Sequence, residues 1–238
     1  MKLILLPGMD GTGMLFGPLL NEIGDLDVEV IPLPNAGAQD YASLADTVAK
    51  IIGERECVLL VESYSGGIAE VLLKNYRLNI RHIVVVASFF SSPSRLLSRL
   101  AAILPIKALA AIPFLAPLAF KAFMLGWSAS PSIIALFRMA LRTVNATVLR
   151  MRLRQIAAYR ATGFTSDISA TYIRPLDDFL VSDRTQEFTA AFANLEIVEV
   201  PGPHFVLQVE PAACASVIRE SVGHLTSKGN GMPSAPMR

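Results

Sequence analysis

Short runs of apolar residues recur along the chain, and longer stretches with a helical pattern separate them. Several runs are apolar at every position, which is typical of parallel strands that helices cover on both faces. The runs are Leu3–Leu6, Val28–Ile31, Val58–Val61, Ile83–Val86, Thr171–Arg174 and Ile197–Val200. Strands that alternate with helices predict βαβ units, and therefore an α/β fold with a mostly parallel sheet.

Residues 89–170 interrupt this alternation. They contain no convincing strand and are rich in helix formers such as Leu and Ala, with prolines as breaks. A helical insertion of this size in a sheet protein predicts a cap over an active site. The sequence therefore divides into a core (residues 1–88 and 171–225), a helical cap (89–170) and a flexible tail (226–238) that is rich in Gly, Ser and Pro.

The composition is that of a globular protein, because 53% of the residues are hydrophobic and 17% are charged. Basic and acidic residues number 21 and 20, so the net charge of +1 gives no support to a nucleic-acid partner. Cys57 and Cys214 lie far apart in apolar surroundings and predict buried thiols in a reducing compartment. The apolar start, Met1–Gly8, is too short for a signal peptide, so we expect a cytoplasmic protein.

The most apolar piece of the predicted cap, residues 108–120, is bracketed by Lys107 and Lys121 and contains two prolines. A membrane-spanning helix needs about 20 apolar residues, so this piece predicts buried cap helices. The alternative is a lid that makes transient contact with a lipid surface.

The segment Leu59–Ala69 predicts a strand, a turn of small residues around Ser63 and then a helix. Such a turn exposes the hydroxyl of a nucleophilic serine, and it needs small neighbours because strand and helix nearly touch there. Val61 and Ser65 stand where glycine is usual two residues before and after the serine, so the G-x-S-x-G pattern is not met. Ser65 as nucleophile has the better small-residue match, but that register would bury the charge of Glu62 within the strand. We therefore favour Ser63 and retain Ser65 as the alternative.

A glycine-rich loop, residues 6–13, follows the first predicted strand. Acyl transfer needs two N–H donors aimed at the developing oxyanion, one from a loop of this kind and one from the residue after the nucleophile. Met9 and Tyr64 stand in these two places, and Gly8 lets the backbone approach the substrate. Asp10 is interpreted as a turn residue.

Among the three histidines, His204 alone lies in a loop directly after a predicted strand, in the run VPGPHF. A loop of this kind can deliver a general base to a site, whereas His82 and His224 are interpreted as surface or packing residues. Asp177 and Asp178 follow the preceding strand, where a carboxylate that orients an imidazole is expected, and the spacing favours Asp178. Serine, acid and histidine would then each follow a strand, at the edge where open α/β sheets hold their sites.

These features resemble the α/β-hydrolase superfamily over nearly the whole chain. Three runs carry the likeness, namely LPGMDGTG (6–13), ESYSG (62–66) and GPHFVLQ (202–208). They are similar to the motifs of little-characterised bacterial hydrolases of the PG-x-DGTG and ESFSG type, and the first also resembles the hydrolase-fold domain of plant phytyl ester synthases, which move fatty acyl groups to alcohols. The resemblance implies a triad of Ser63, Asp178 and His204, oxyanion donors at Met9 and Tyr64, and a sheet shortened at its N-terminal edge.

Together these patterns predict acyl transfer through a covalent intermediate, with hydrolysis of a carboxylic ester or thioester as the outcome. Met9, Phe16, Tyr64 and aliphatic residues of the cap would form an apolar pocket, which favours a hydrophobic acyl group. Three scattered histidines predict no metal site, and no cofactor is expected. The alternatives are transfer to an alcohol acceptor, ligand binding without turnover, and partner binding at a membrane.

Overall fold

The computed structural model describes residues 1–94 and 115–229. The six strands in this part of the chain form one sheet in the order β2-β1-β3-β4-β5-β6, and all neighbouring strands are parallel. The strands are β1 (Lys2–Leu6), β2 (Val28–Val30), β3 (Cys57–Glu62), β4 (Ile80–Val86), β5 (Ser169–Pro175) and β6 (Leu195–Val200). Every apolar run named above coincides with one of them, so the predicted α/β fold with a parallel sheet is confirmed.

Helices follow the strands along the chain. They are α1 (Gly17–Glu22), α2 (Tyr41–Ile52), α3 (Ser65–Asn75), α4 (Leu115–Phe120), α5 (Pro131–Thr143), α6 (Ala146–Ala158), α7 (Thr185–Ala191), α8 (Val206–Val209) and α9 (Pro211–Gly229). A 3-10 turn, Met14–Phe16, precedes α1, and a π-helical turn, Lys121–Leu125, continues α4. Asp40 begins α2 and Asn145 begins α6, each with a side-chain oxygen that accepts a backbone N–H of the first turn.

Apolar side chains fill the space on both faces of the sheet, because successive residues of a strand point to opposite faces. Leu59 of β3 packs with α2 and α3 on one face, and Leu60 packs with α1 and α9 on the other. Cys57 belongs to the first of these layers and Cys214 to the second, and both are buried free thiols. Two-sided burial explains why several strands are apolar at every position.

Helices α4 to α6 follow β4 in the chain and pack over the carboxyl ends of the strands. Phe120 and Phe137 from these helices form one apolar cluster with Leu15 of the core. Residues 95–114 of the predicted cap and residues 230–238 of the predicted tail lie outside the described residues.

No single helix within residues 1–94 and 115–229 is long and apolar enough to cross a membrane. Helices α5 and α6 reach that length and composition only as a pair, and they are bent by 99° at the break between them. Most of the apolar piece 108–120 lies outside the described part of the chain.

Candidate active site

Ser63 stands directly after β3 in a backbone conformation that serine rarely adopts, with a φ of +50°. Its neighbours hold this conformation, because the Ser63 N–H donates to Val86 O (2.9 Å) and the Ser88 hydroxyl donates to Ser63 O (2.5 Å). Glycine is required at position 66, since a Cβ on Gly66 would lie 2.1 Å from Ser88 Oγ. The chain thus makes a sharp strand-to-helix turn of the kind that presents a serine hydroxyl above a sheet.

Ser63, His204 and Asp178 form a continuous line of hydrogen bonds. Ser63 Oγ lies 2.9 Å from His204 Nε2, and His204 Nδ1 lies 2.8 Å from Asp178 Oδ2. The N–H groups of Leu180 and Val181 each donate to Asp178 Oδ1 (2.8 Å), so both carboxylate oxygens are engaged and the carboxylate is fixed in orientation. With Nδ1–H donating to the carboxylate, Nε2 carries no proton and can accept a hydrogen bond from the Ser63 hydroxyl.

The sheet itself brings the acid and the histidine together, because β5 and β6 are neighbouring parallel strands. Their ladder continues past the strand ends, where Leu176 N donates to Val200 O (3.1 Å) and Asp177 N donates to Gly202 O (2.9 Å). The two loops therefore leave the sheet side by side. Asp177 is exposed, so Asp178 is the member of the acidic pair that reaches the imidazole.

Ser65, the alternative nucleophile, is fully buried, and its hydroxyl donates to Pro7 O (2.5 Å). The structure therefore brings Ser63, and not Ser65, against His204. The reason for preferring Ser63 was nevertheless wrong, because Glu62 ends β3 and is buried in the observed register as well.

Glu62 is tolerated inside the protein because its carboxyl group has partners. Gln208 Nε2 donates to Glu62 Oε1 (2.9 Å), and the nearby Gly8 N–H also favours the charged form. Burial nevertheless raises the pKa of Glu62 to about 7, and the charge of Asp10 adds to this rise. Sequence reasoning missed this acid as part of the site, although its place directly before Ser63 was a usable signal.

The loop after β1 places Gly8, Met9 and Asp10 on the wall of a cavity in front of Ser63. Asp10 is a turn residue, because its Oδ2 accepts from both Thr12 N (2.9 Å) and Thr12 Oγ1 (2.5 Å). Asp10 is also buried, and that burial raises its pKa. The loop thus brings backbone groups to within reach of a molecule bound at Ser63.

The cavity has a volume of about 290 Å³ and opens onto Ser63 and His204. Most of its wall is apolar and comes from helices α4 to α6 and the loop after β5. The wall includes Phe120, Phe137, Leu141, Leu149, Leu153 and Phe179. Among the described residues that line it there is no lysine or arginine.

Two residues that the sequence assigned to the pocket lie elsewhere. Phe16 is fully buried on the face of the sheet that α1 and α9 cover, where it packs with Leu3 and other core residues. The Tyr64 ring is also fully buried, and its hydroxyl donates to Gln39 O (2.7 Å). The backbone of Tyr64 stands at the N-terminal end of α3, directly after Ser63.

His82 lies inside β4 and does not precede a strand. Its Nδ1 is 2.8 Å from Ser169 Oγ and its Nε2 is 3.0 Å from Thr171 Oγ1, so it packs within the protein. The side chain of His224 lies outside the described part of the chain. Within residues 1–94 and 115–229, no three His, Cys, Asp or Glu side chains lie close enough together to hold a metal ion.

No protein-family model matches the chain, and no curated protein sequence matches it either. Its fold is similar to that of several solved structures. A hydrolase from Pseudomonas aeruginosa is 16% identical with a TM-score of 0.77, and the match covers 93% of this chain and 89% of that chain. A thermophilic esterase from Thermogutta terrifontis is 15% identical with a TM-score of 0.76, and the shares are 94% and 90%. An enol-lactonase from Burkholderia xenovorans LB400 is 12% identical with a TM-score of 0.78, and the shares are 93% and 91%.

Proposed function

The chain has the α/β-hydrolase fold, and we propose that it is a serine hydrolase that cleaves a carboxylic ester or thioester with a hydrophobic acyl group. One observation carries this proposal. The hydroxyl of Ser63, the imidazole of His204 and the carboxylate of Asp178 lie in one hydrogen-bonded line beside an apolar cavity. A serine activated by such a base is suited to acyl transfer.

Acylation begins when His204 Nε2 takes the proton of Ser63 as Ser63 Oγ attacks the carbonyl carbon of the substrate. The carbonyl oxygen becomes an oxyanion, which accepts hydrogen bonds from the Met9 and Tyr64 N–H groups. His204 then gives its proton to the departing alcohol or thiol, and the carbonyl re-forms as an ester of Ser63. The Asp178 carboxylate stabilises the imidazolium and holds the ring in the required tautomer.

Deacylation repeats these steps with water in place of the serine hydroxyl. His204 takes a proton from the water, which attacks the acyl-Ser63 carbonyl and forms a second oxyanion at the same two N–H groups. The proton on His204 passes to Ser63 Oγ as the acid leaves. The enzyme returns to its starting state with one ester bond hydrolysed.

The cavity wall supports an uncharged, apolar acyl group as substrate. An anionic chain would lose its hydration there without a counter-charge, because the described lining residues include no lysine or arginine. A volume of about 290 Å³ lies near the lower end of the range for small-molecule sites, about 300 to 1,000 Å³. One of the similar structures is an esterase, which supports the same reaction class for this chain.

A fluorophosphonate probe tests the assignment of the nucleophile. We expect the probe to label the wild-type protein and the Ser65→Ala variant, but not Ser63→Ala, because only Ser63 lies against His204. Labelling that persists in Ser63→Ala and is lost in Ser65→Ala would make Ser65 the nucleophile.

Turnover of p-nitrophenyl esters of increasing chain length, with and without an added alcohol, tests the reaction. We expect release of the free acid, with a preference for acyl chains that fill the cavity. A faster reaction that yields a new ester when alcohol is present would indicate an acyltransferase. A protein that neither reacts with the probe nor turns over any ester would be a ligand-binding protein, and the proposed function would be wrong.

A further inference from the structure

Arg152 of α6 is a cation that is fully buried between the cap helices and the core. Its three donor groups reach three neutral oxygens: Nη1 donates to Met9 O (2.9 Å), Nη2 to Pro34 O (2.8 Å) and Nε to Gln39 Oε1 (2.8 Å). Each of the three guanidinium nitrogens therefore has an acceptor from the core.

Burial of a cation among neutral partners is an unfavourable way to attach a helix, because the cation loses its hydration. Desolvation of a guanidinium opposes its burial, and the carboxylate that acts on it is that of Asp10, whose own burial raises its pKa. Apolar residues of similar size often hold such a position more cheaply. A group that is retained at such a cost is a candidate for a role in the chemistry.

The guanidinium interacts with both residues that are proposed to bind the oxyanion. It holds the Met9 carbonyl directly, and it lies 5.9 Å from the centroid of the Tyr64 ring. Gln39 also links Arg152 to Tyr64, because its side chain accepts from Arg152 and its backbone carbonyl accepts from the Tyr64 hydroxyl. The loop passes so close to the guanidinium that a Cβ on Gly11 would lie 2.2 Å from Nη1.

We infer that Arg152 is a positioning residue for the oxyanion hole, which it acts on from the cap by holding the Met9 loop and the Tyr64 ring in a fixed relation. This inference rests on the proposed function. The hydrogen bond from Nη1 to Met9 O fixes the peptide plane between Met9 and Asp10, which directly follows the peptide that carries the Met9 N–H, and so restrains the loop beside that donor relative to Ser63. Donors to an oxyanion act only within a narrow range of distance and direction, so an error of about 1 Å can cost up to about 100-fold in rate.

Helix α6 then acts on the site through Arg152 and does not only cover the cavity. A cap that only shields the cavity would contribute to substrate binding through its apolar wall. A cap that carries Arg152 also contributes to the transition state, where the oxyanion exists. The two roles separate in kinetics, because loss of binding raises KM whereas loss of transition-state stabilisation lowers kcat.

The experiment compares Arg152→Lys and Arg152→Met with the wild type in hydrolysis of the best p-nitrophenyl ester. We expect kcat to fall about 10- to 100-fold in both variants with KM little changed. Lysine keeps a cation at the site and protects the fold, but it lacks the planar fork that engages three oxygens. Arg154→Met is the matched control, because Arg154 is exposed on the same helix, and it should leave both constants unchanged.

Chemical rescue tests whether the missing guanidinium group itself accounts for the loss of kcat, and KM measured in the same assay separates a positioning role from a loss of cap packing. Guanidinium chloride at non-denaturing concentration should restore part of the kcat of Arg152→Ala, and urea, which is neutral and of similar shape, should not. If Arg152→Met does not fold, the kcat of Arg152→Lys and the rescue of Arg152→Ala decide the question.

Three results would overturn the inference while the proposed function stands. The first is a wild-type kcat in Arg152→Lys together with no rescue of Arg152→Ala by guanidinium. The others are a loss confined to KM and a rescue by urea equal to that by guanidinium. A wild-type protein that is inert to esters and to the fluorophosphonate probe would instead overturn the proposed function and this inference with it.

Discussion

The two ends of the sheet are built differently, although the same kind of apolar layer fills the space between them. At the carboxyl ends of the strands, Ser63 has a positive φ, Glu62 is a buried acid, and Arg152 is a buried cation with neutral partners. At the amino ends, His82 is also a buried polar group, but it is neutral and both of its ring nitrogens have a hydroxyl partner.

The partners of His82 define its tautomer. The Ser221 hydroxyl donates to Val217 O (2.9 Å), so the Thr171 hydroxyl is the donor in its contact with Ser221 Oγ (3.1 Å). His82 Nε2–H then donates to Thr171 Oγ1 (3.0 Å). Nδ1 carries no proton in this tautomer and accepts from the Ser169 hydroxyl (2.8 Å), which lies farther from its other acceptor, Arg81 O (3.4 Å). Every polar group of this network is satisfied without a net charge, as a purely structural network requires.

This difference is the one expected between residues that serve stability and residues that serve the proposed chemistry. Strain and buried charge persist in a fold only where the surrounding structure holds them in place, and they collect at functional sites. In a parallel sheet those sites lie at the carboxyl ends of the strands. The amino ends of this sheet are packed in the way that favours stability, so mutations at the two ends are expected to change different measurements.

The largest expected effect is a loss of activity at the carboxyl end. Asp178→Asn should lower kcat by about 10,000-fold with the fold intact, because an amide cannot stabilise the imidazolium and favours the wrong tautomer of His204. Asp177→Asn, one residue earlier and exposed, should leave kcat unchanged. Ester hydrolysis by the two variants is the measurement, and a strong effect at Asp177 with none at Asp178 would reassign the acid.

At the amino end, the expected effect is on stability and not on kcat. Burial lowers the pKa of His82 from 6.5 to about 4, so the unfolded chain binds more protons than the native protein between these values. Stability is therefore lost as pH falls from 6.5 to 4, by about 3 kcal/mol from this group. Urea denaturation at several pH values should show this loss in the wild type and its absence in His82→Leu. An unchanged pH dependence in the variant would mean that His82 does not titrate in this way.

Glu62 should produce a pH effect of similar size and of the opposite sign. Burial raises its pKa from 4.5 to about 7, so its contribution to stability is full below pH 4.5 and is lost as pH rises towards 7. Glu62→Gln should therefore gain stability relative to the wild type as pH rises over that range, by about 3 kcal/mol, because glutamine does not ionise. The same urea series measures it. A gain that is equal at pH 4 and pH 7 would contradict the titration of Glu62.

The smallest effect concerns the backbone strain at the nucleophile. Ser63→Gly should raise the free energy of unfolding by about 0.5 to 1 kcal/mol while it abolishes hydrolysis, because glycine adopts a positive φ without a steric cost but has more freedom in the unfolded chain. Ser65→Gly is the contrasting variant. It loses the hydrogen bond to Pro7 O and should be less stable than the wild type. A loss of stability in Ser63→Gly would show that the conformation at Ser63 is not strained.

The sequence was most informative where local pattern and topology coincide. Apolar runs identified the six described strands, and residues that directly follow strands, such as Ser63, Asp178 and His204, were found because parallel strands deliver their ends to one edge. The sequence analysis places Phe16 in the pocket with other apolar residues, and that placement is wrong. The face of the sheet on which Phe16 packs decides its surroundings, and an apolar side chain alone does not indicate that face.

The buried charges were harder to predict, because their partners come from distant parts of the chain. Arg152 is one of several arginines on α6, and nothing local distinguishes it from Arg154, which is exposed. Glu62 was judged too costly to bury, because the compensating contact with Gln208 depends on how the histidine loop folds back. Such groups become recognisable only when the three-dimensional neighbours that balance desolvation are known.

The close passage of Gly11 over the Arg152 guanidinium also has a consequence for how this protein can change. The two residues belong to different parts of the chain, yet neither can be replaced without regard to the other, since any side chain at position 11 would occupy the space of the guanidinium. A cap taken from another protein of this fold, by recombination or by design, would have to supply a matching arginine or refill the space above the loop. We therefore expect the cap and core of this chain to be inherited as a pair and to fail when exchanged separately.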